Sequence, residues 1–297
     1  MGSKEADFRA ELDASASVQV VVVVNCTRKG KDSKAAWDLA RDLWKRGEGG
    51  LFHSIWLNFH QEEDPKRRSN ENAILGGGGF ELVSGVEQVM QRFTALSSPI
   101  SIGPGAFVQA NYSTFSLALT QIRDFAMEKK DAKVLELHAG VGSIGLSLFS
   151  NGHGPSWLRC VEINPAGEEH FQRSKSMLLS QIRASGGCIP DVGYLVAPAS
   201  DEQCLRWLKE DVNVIIVDPP KKGLERELLT ALTYSNAEQG DPGRAQTQTL
   251  IYLSCGWEAL KKEMGLLVES GWKLVFASAY LFFPGTEAIE TLAVFKR

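Results

Sequence analysis

The 297-residue chain has no pair of cysteines at a metal-binding spacing. Its five cysteines, at 26, 160, 188, 204 and 255, form no CxxC, zinc or iron–sulfur pattern, so no metal ion and no iron–sulfur cluster is expected. An odd, scattered set also excludes a disulfide framework and fits a reducing, intracellular compartment, with cytoplasm and organelle both open. Long hydrophobic runs are missing too. VQVVVVV at 18–24 is strand length, well short of the ~18 residues of a membrane span, so no membrane association is expected. The N-terminus has no apolar signal-peptide core, and MGSKEADF reads equally as a native start or a cloning remnant. Excess charge of one sign is absent: 32 basic against 36 acidic residues leave −4. Any contact with a polyanion must therefore use local patches. The candidates are Arg28, Lys29, Lys31 and Lys34; Lys66, Arg67 and Arg68; and Lys221 with Lys222. There is no internal repeat and no long low-complexity tract.

What is present is an ordinary globular composition, 43% hydrophobic and 23% charged, on a chain long enough for one large or two moderate domains. The β-branched run 18–25 reads as a strand. Residues 33–46 place Trp37, Leu39, Ala40, Leu43 and Trp44 near one helical face, with Gly47 as a stop signal. SIWLNF at 54–59 alternates like a second strand. The polar stretch 61–72 and the glycines at 76–79 read as loop and turn. These features predict a small α+β subdomain over residues 1–95.

From 96 to 297 the pattern becomes strand–helix alternation. KVLELH (133–138), LRCVEI (158–163), VNVIIVD (212–218), LIYLS (250–254), WKLVFAS (272–278) and IETLAVF (289–295) read as strands. Helices are expected after the glycine turn to about residue 150, from Pro165 towards Ala184, and after DPPKKG. Such alternation predicts an α/β fold with a parallel-rich sheet. The short link between the last two strands suits an antiparallel hairpin at the sheet edge.

Ligands of doubly wound sheets sit beyond the carboxyl ends of the strands. There the turn AGVGS, with Gly140 and Gly142, lets backbone approach a ligand closely. Glu162 ends the next strand about 20 residues on, where a carboxylate receives ribose hydroxyls. GVGSIG also fits the dinucleotide fingerprint GxGxxG. Glu136 before the glycines and Asp218-Pro219-Pro220 after a later strand favour S-adenosylmethionine instead. Further on, Cys255 closes a buried strand and Glu290 precedes the last one. A soft nucleophile and a proton acceptor could serve chemistry on a pyrimidine ring. Taken alone, the pair also fits a buried structural thiol and a surface glutamate.

Six strings in order, FVQAN (107–111), ELHAGVGS (136–143), VEIN (161–164), DPPKKG (218–223), LSCG (253–256) and FPGTEAIE (283–290), make the chain resemble the RNA uracil-5-methyltransferases that use S-adenosylmethionine. The resemblance runs from residue 53 to the C-terminus. It implies a Rossmann-like class I methyltransferase sheet, RNA (tRNA or rRNA) as substrate, Cys255 as nucleophile and Glu290 as general base. It further implies that Gln109, His138, Ser143, Glu162 and Asp218 bind the cofactor or the neighbouring base, and that Lys221 and Asn111 face the substrate. The chain departs from the family pattern at four places. Ala139 replaces a cysteine, Gly256-Trp257 replaces Asn-Pro, Ala288 replaces a histidine, and Lys221 replaces an arginine that would make a planar two-pronged contact.

Rival readings are a cytosine-5 RNA methyltransferase, a catalytically silent RNA-binding or assembly factor, and a dinucleotide oxidoreductase. The first is disfavoured by Pro220 and Lys221 where those enzymes usually carry a second cysteine. Of the aromatic residues near the nucleophile, Tyr252, Trp257, Phe282 and Phe283, most are expected in the core. Family members often carry an N-terminal OB-like RNA-binding domain, which this sequence lacks. The chain is therefore expected to be a shortened catalytic portion with weaker RNA affinity. The polar loop 236–247 reads as a flap or an idle insertion.

Overall fold

The computed structural model describes residues 18–24, 29, 32–47, 51–59, 80–93, 98–107, 109, 111–150, 153–210, 212–233 and 248–297. Cys26, the basic residues Arg28, Lys31, Lys66, Arg67 and Arg68, the loop 61–72, the glycines 76–79 and the loop 236–247 lie outside them. The chain divides into two compact units, Met1–Gln91 with Ser101–Val108, and Arg92–Ile100 with Gln109–Arg297.

The first unit is built on β1 (Val18–Val24), α1 (Ser33–Arg46), β2 (Phe52–Phe59) and β3 (Phe80–Gly85). β1 and β2 run parallel, joined through α1, and β3 adds antiparallel to β2. Ala36 and Ala40 of α1 bury against Ile55, Leu57 and Phe59, with Trp37, Leu43 and Trp44 packed alongside. Leu39, expected on that face, is exposed. At about 100° per residue it points roughly 70° off the centre of the Ala36–Ala40–Leu43 stripe, at the edge of the buried face. β2 reads as alternating but is buried over the whole of 53–59, as befits the central strand of three.

The second unit carries seven strands: β6 (Lys133–Leu137), β7 (Trp157–Glu162), β8 (Asp191–Val196), β9 (Val214–Val217), β10 (Thr249–Ser254), β11 (Lys273–Tyr280) and β12 (Glu290–Lys296). Their order is β11-β12-β10-β9-β6-β7-β8. The central strands run parallel, and β12 is antiparallel to both its neighbours. The last two strands do form an antiparallel pair, but the chain's final strand is inserted one place in from the edge. This is the class I methyltransferase sheet. The helices are α2 (Tyr112–Ala126), α3 (Ser143–Ser147), α4 (Ala166–Ala184), α5 (Glu202–Glu210), α6 (Arg226–Thr233) and α7 (Trp257–Glu269). Two short strands, β4 (Val89–Gln91) and β5 (Ile100–Ile102), pair separately.

Six of these elements went unread in the sequence: α2, β4, β5, β8, α5 and α7. α2 buries Phe115, Ala118, Leu119, Ile122 and Ala126, a helical stripe diluted by Ser and Thr. The helix after the glycine turn is one short turn and more, Ser143–Ser147, rather than reaching residue 150. One sheet face packs Leu135, Leu137, Ile215, Val217, Leu250, Tyr252, Ala293 and Phe295 into the main core with Leu228 and Leu232 of α6 and Leu260 and Leu267 of α7.

Candidate active site at the carboxyl edge of the sheet

Strand register brings the chemistry together. Ile216 of β9 pairs with Glu136 of β6 and with Ile251 of β10, and Ile251 pairs with Val294 of β12. Directly paired residues point to the same face, and faces alternate along each strand. Steps of two from that row reach Asp218 beyond β9, Leu253 and Cys255 beyond β10, and Leu292 and Glu290 on β12. The final pair of β10 and β12 is Ser254 with Thr291, so one more step sets Cys255 opposite Glu290. Glu136, Asp218, Cys255 and Glu290 thus share the face opposite the main core.

These groups perturb one another's protonation. Burial raises the Cys255 thiol above its usual range, the carboxylates of Glu290 and Asp218 raise it further, and the Lys221 ammonium pulls it back. Glu290, only 3% exposed, is pushed up to about 7 by burial. Asp218 is held well above the carboxylate range by burial and by Glu290 and Glu136, against a hydrogen bond from Gln109 Nε2 at 3.4 Å. Glu136, fully buried, is raised to about 7 by loss of solvent. Its Oε2 accepts from the Gly145 amide at 2.9 Å and from Cys160 Sγ at 3.0 Å, while Oε1 has no partner.

The glycine turn follows β6. Gly140 and Gly142 have φ of +55° and +76°, and the space where a Gly140 side chain would stand is empty. The Gly140 amide donates to Glu162 Oε2 at 3.0 Å, and the Asn164 amide to Oε1 at 2.8 Å. Each of these oxygens keeps a lone pair for a hydroxyl. Ser143 opens α3, partly buried. His138 takes the left-handed φ of +59°, uncommon for a residue with a side chain, and sets Nε2 3.0 Å from Glu225 Oε2. Its Nδ1 is buried without a partner.

Lys221 is exposed, and its backbone presses on Gly256, whose added Cβ would lie 2.9 Å from the Lys221 Cα. Asn111 caps α2: its Oδ1 accepts from the Thr114 amide at 3.1 Å, and its Nδ2 reaches Leu281 O at 3.5 Å. Among the four aromatic residues, Tyr252 and Phe282 are core and Trp257 and Phe283 are partly exposed. Sequence reasoning missed Tyr194, Glu225 and Glu263. Tyr194 donates to Gly140 O at 2.6 Å from the unread strand β8. Among the described residues no group of acids, histidines and cysteines fits a metal ion, and no helix is long and apolar enough to cross a membrane.

No family model matches the chain. An uncharacterized RNA methyltransferase of Protochlamydia amoebophila is 34% identical over 96% of this chain and 66% of its own length. The 23S rRNA (uracil(1939)-C(5))-methyltransferase RlmD of Shewanella piezotolerans is 23% identical over 86% of this chain and 49% of its own. The chain thus spans between about half and two-thirds of these relatives. Among solved structures, Trm5b of Pyrococcus abyssi superposes with a TM-score of 0.54 over 95% of this chain and 73% of its own, at 11% identity, a likeness of fold alone. With the sheet order, the six motif strings and these relatives taken together, the chain belongs to the RNA uracil-5-methyltransferase family.

Proposed function

We propose that the chain transfers a methyl group from S-adenosylmethionine to carbon 5 of a uridine in RNA, through a covalent adduct on Cys255. The observation that carries this reading is the nearness of Cys255, one residue past the last β10–β12 pair Ser254–Thr291, to the carboxylates of Glu290 and Asp218, both of which act on its thiol. The residues fit the cofactor. The open space at Gly140, the free lone pairs of Glu162 and the unpartnered His138 Nδ1 are what an adenosine moiety would use. When bound, S-adenosylmethionine supplies an electrophilic methyl on a sulfonium.

The protein's own residues account for the rest. Carbon 5 of uracil is too weakly nucleophilic to take a methyl unaided. The Cys255 thiolate adds to carbon 6, the electron pair moves to carbon 5 as an enolate, and carbon 5 takes the methyl. Glu290, ionised, then removes the carbon 5 proton; the ring double bond re-forms and expels the thiolate. Lys221 favours the thiolate. The base must leave its stack to reach a half-buried thiol.

RNA carrying 5-fluorouridine has fluorine where Glu290 must take a proton. Wild type with the cofactor should form a denaturation-resistant adduct on Cys255, and Cys255→Ala none. Glu290→Gln should accumulate the adduct on ordinary uridine RNA. Neither adduct nor 5-methyluridine from wild type, across tRNA and rRNA transcripts that it binds, would sink the reading.

A further inference from the structure

Among the described residues, Lys221 is the cation that lowers the Cys255 thiol, and it stands at the centre of a tight turn. The Gly223 amide closes that turn on Pro220 O at 2.8 Å. The turn has to be held, because an exposed lysine makes no fixed contact of its own. The holding group is on α7. Glu263, 7% exposed, accepts from the Leu224 amide with Oε1 at 3.0 Å and from the Tyr252 hydroxyl with Oε2 at 2.7 Å. Gly223, at φ +86°, leaves room for that carboxylate: a Cβ there would collide with Glu263 Oε1 and sit 3.0 Å from Ala259. Tyr252 lies three residues before Cys255 on β10. One side chain therefore grips both segments on which the thiol's surroundings depend.

We propose that Glu263 is a positioning residue, which ties the 218–224 loop to strand β10 and so sets where Lys221 stands against Cys255. It touches neither substrate nor cofactor. The charged groups acting on Cys255 are Glu290 from β12, Asp218 from the end of β9 and Lys221 from the turn, with Tyr252 nearby on the opposite face of the sheet. All but Lys221 disfavour the thiolate or are neutral. Loosening the turn hence leaves the thiol with its acidic neighbours alone. A second tie, Glu225 to His138, anchors the far end of the loop to the glycine turn, so releasing Glu263 frees the Lys221 segment without unfolding the whole loop.

The inference deepens the methyl-transfer reading, but its main test does not need that reaction. Iodoacetamide labelling of Cys255, followed by peptide mass spectrometry across pH, reports the thiol directly. Glu263→Ala should move the labelling midpoint up by about half a unit and lower kcat about tenfold, as a misplaced group does, with KM for the cofactor little changed. Glu263→Gln keeps an acceptor for Leu224 and a partner for Tyr252, and should label like wild type. Lys221→Ala should raise the midpoint as well, and Glu263→Ala/Lys221→Ala no further than Lys221→Ala alone. Additive shifts, or a folded Glu263→Ala with the wild-type midpoint, would overturn the proposal. Should Glu263→Ala fail to fold, Tyr252→Phe removes one of the two ties and should give a smaller shift in the same direction; no shift there counts against it. A shifted midpoint in a protein that methylates nothing would keep the positioning role and reject the reaction.

Discussion

At position 256 an added Cβ would strike the Lys221 carbonyl oxygen and lie 2.9 Å and 3.0 Å from that residue's Cα and carbonyl carbon. These are backbone atoms held in a closed turn, which cannot swing aside as a side-chain end could. Gly256, one of the departures from the family pattern, thus makes structural sense: it lets the Lys221 turn approach the nucleophile. Gly256→Ala should push that turn off, lower methyl transfer at least about tenfold, and reduce Tm by a few degrees, about 1–3 kcal/mol of strain. Wild-type activity with unchanged Tm would show that the two segments move apart at no cost. Much of the candidate site was legible at this scale. Cys255, Glu290, Asp218 and the glycines could be read because chemistry and backbone freedom restrict those residue types. Glu263 and Glu225 could not, since an isolated glutamate on a helix or loop reads as solvated until a distant backbone amide or histidine is seen to reach it.

Among the elements, the parallel strands announced themselves as short apolar runs, because both their faces are covered. β8 did not: Asp191 and Gly193 interrupt it, and it lies at the sheet edge with only Val192 fully buried. α2 was lost because its buried stripe begins after Tyr112, Ser113 and Thr114, with no acidic residue in its first turn. Its cap is Asn111, a residue the family resemblance assigns to the substrate. The hydrogen bond from Thr114 gives it a second, testable duty. Asn111→Ala should cost about 1 kcal/mol of stability by losing the cap. Asn111→Ser, which caps comparably, should restore that stability. If Asn111 also faces the substrate, Ser will not restore kcat/KM, so urea unfolding and steady-state kinetics on the pair separate the two duties. Equal stability of all three proteins would remove the capping role.

For the whole molecule, the carboxylates at the sheet edge set activity and stability against each other. Glu136 and Glu290 titrate near 7 in the fold against 4.5 when exposed. The folded state therefore holds protons that the unfolded chain has released. Their contribution to stability is fully present below pH 4.5 and is lost as pH rises through about 7. For one such group the loss is on the order of 3 kcal/mol at most. Catalysis runs the other way, since Glu290 must be ionised to take a proton and Cys255 must be a thiolate. Methyl transfer should accordingly rise through pH 7 and keep rising into the alkaline range, where the raised thiol still titrates, while the urea midpoint falls between pH 5 and pH 8. Glu290→Gln removes one of the groups that loses protons. It should be inactive in turnover, more stable than wild type at pH 8, and little different at pH 5. A urea midpoint with the same pH slope in Glu290→Gln as in wild type would mean that the glutamate opposite Cys255 is solvated and ionised throughout, and it would then have no reason to wait for neutral pH to act as a base.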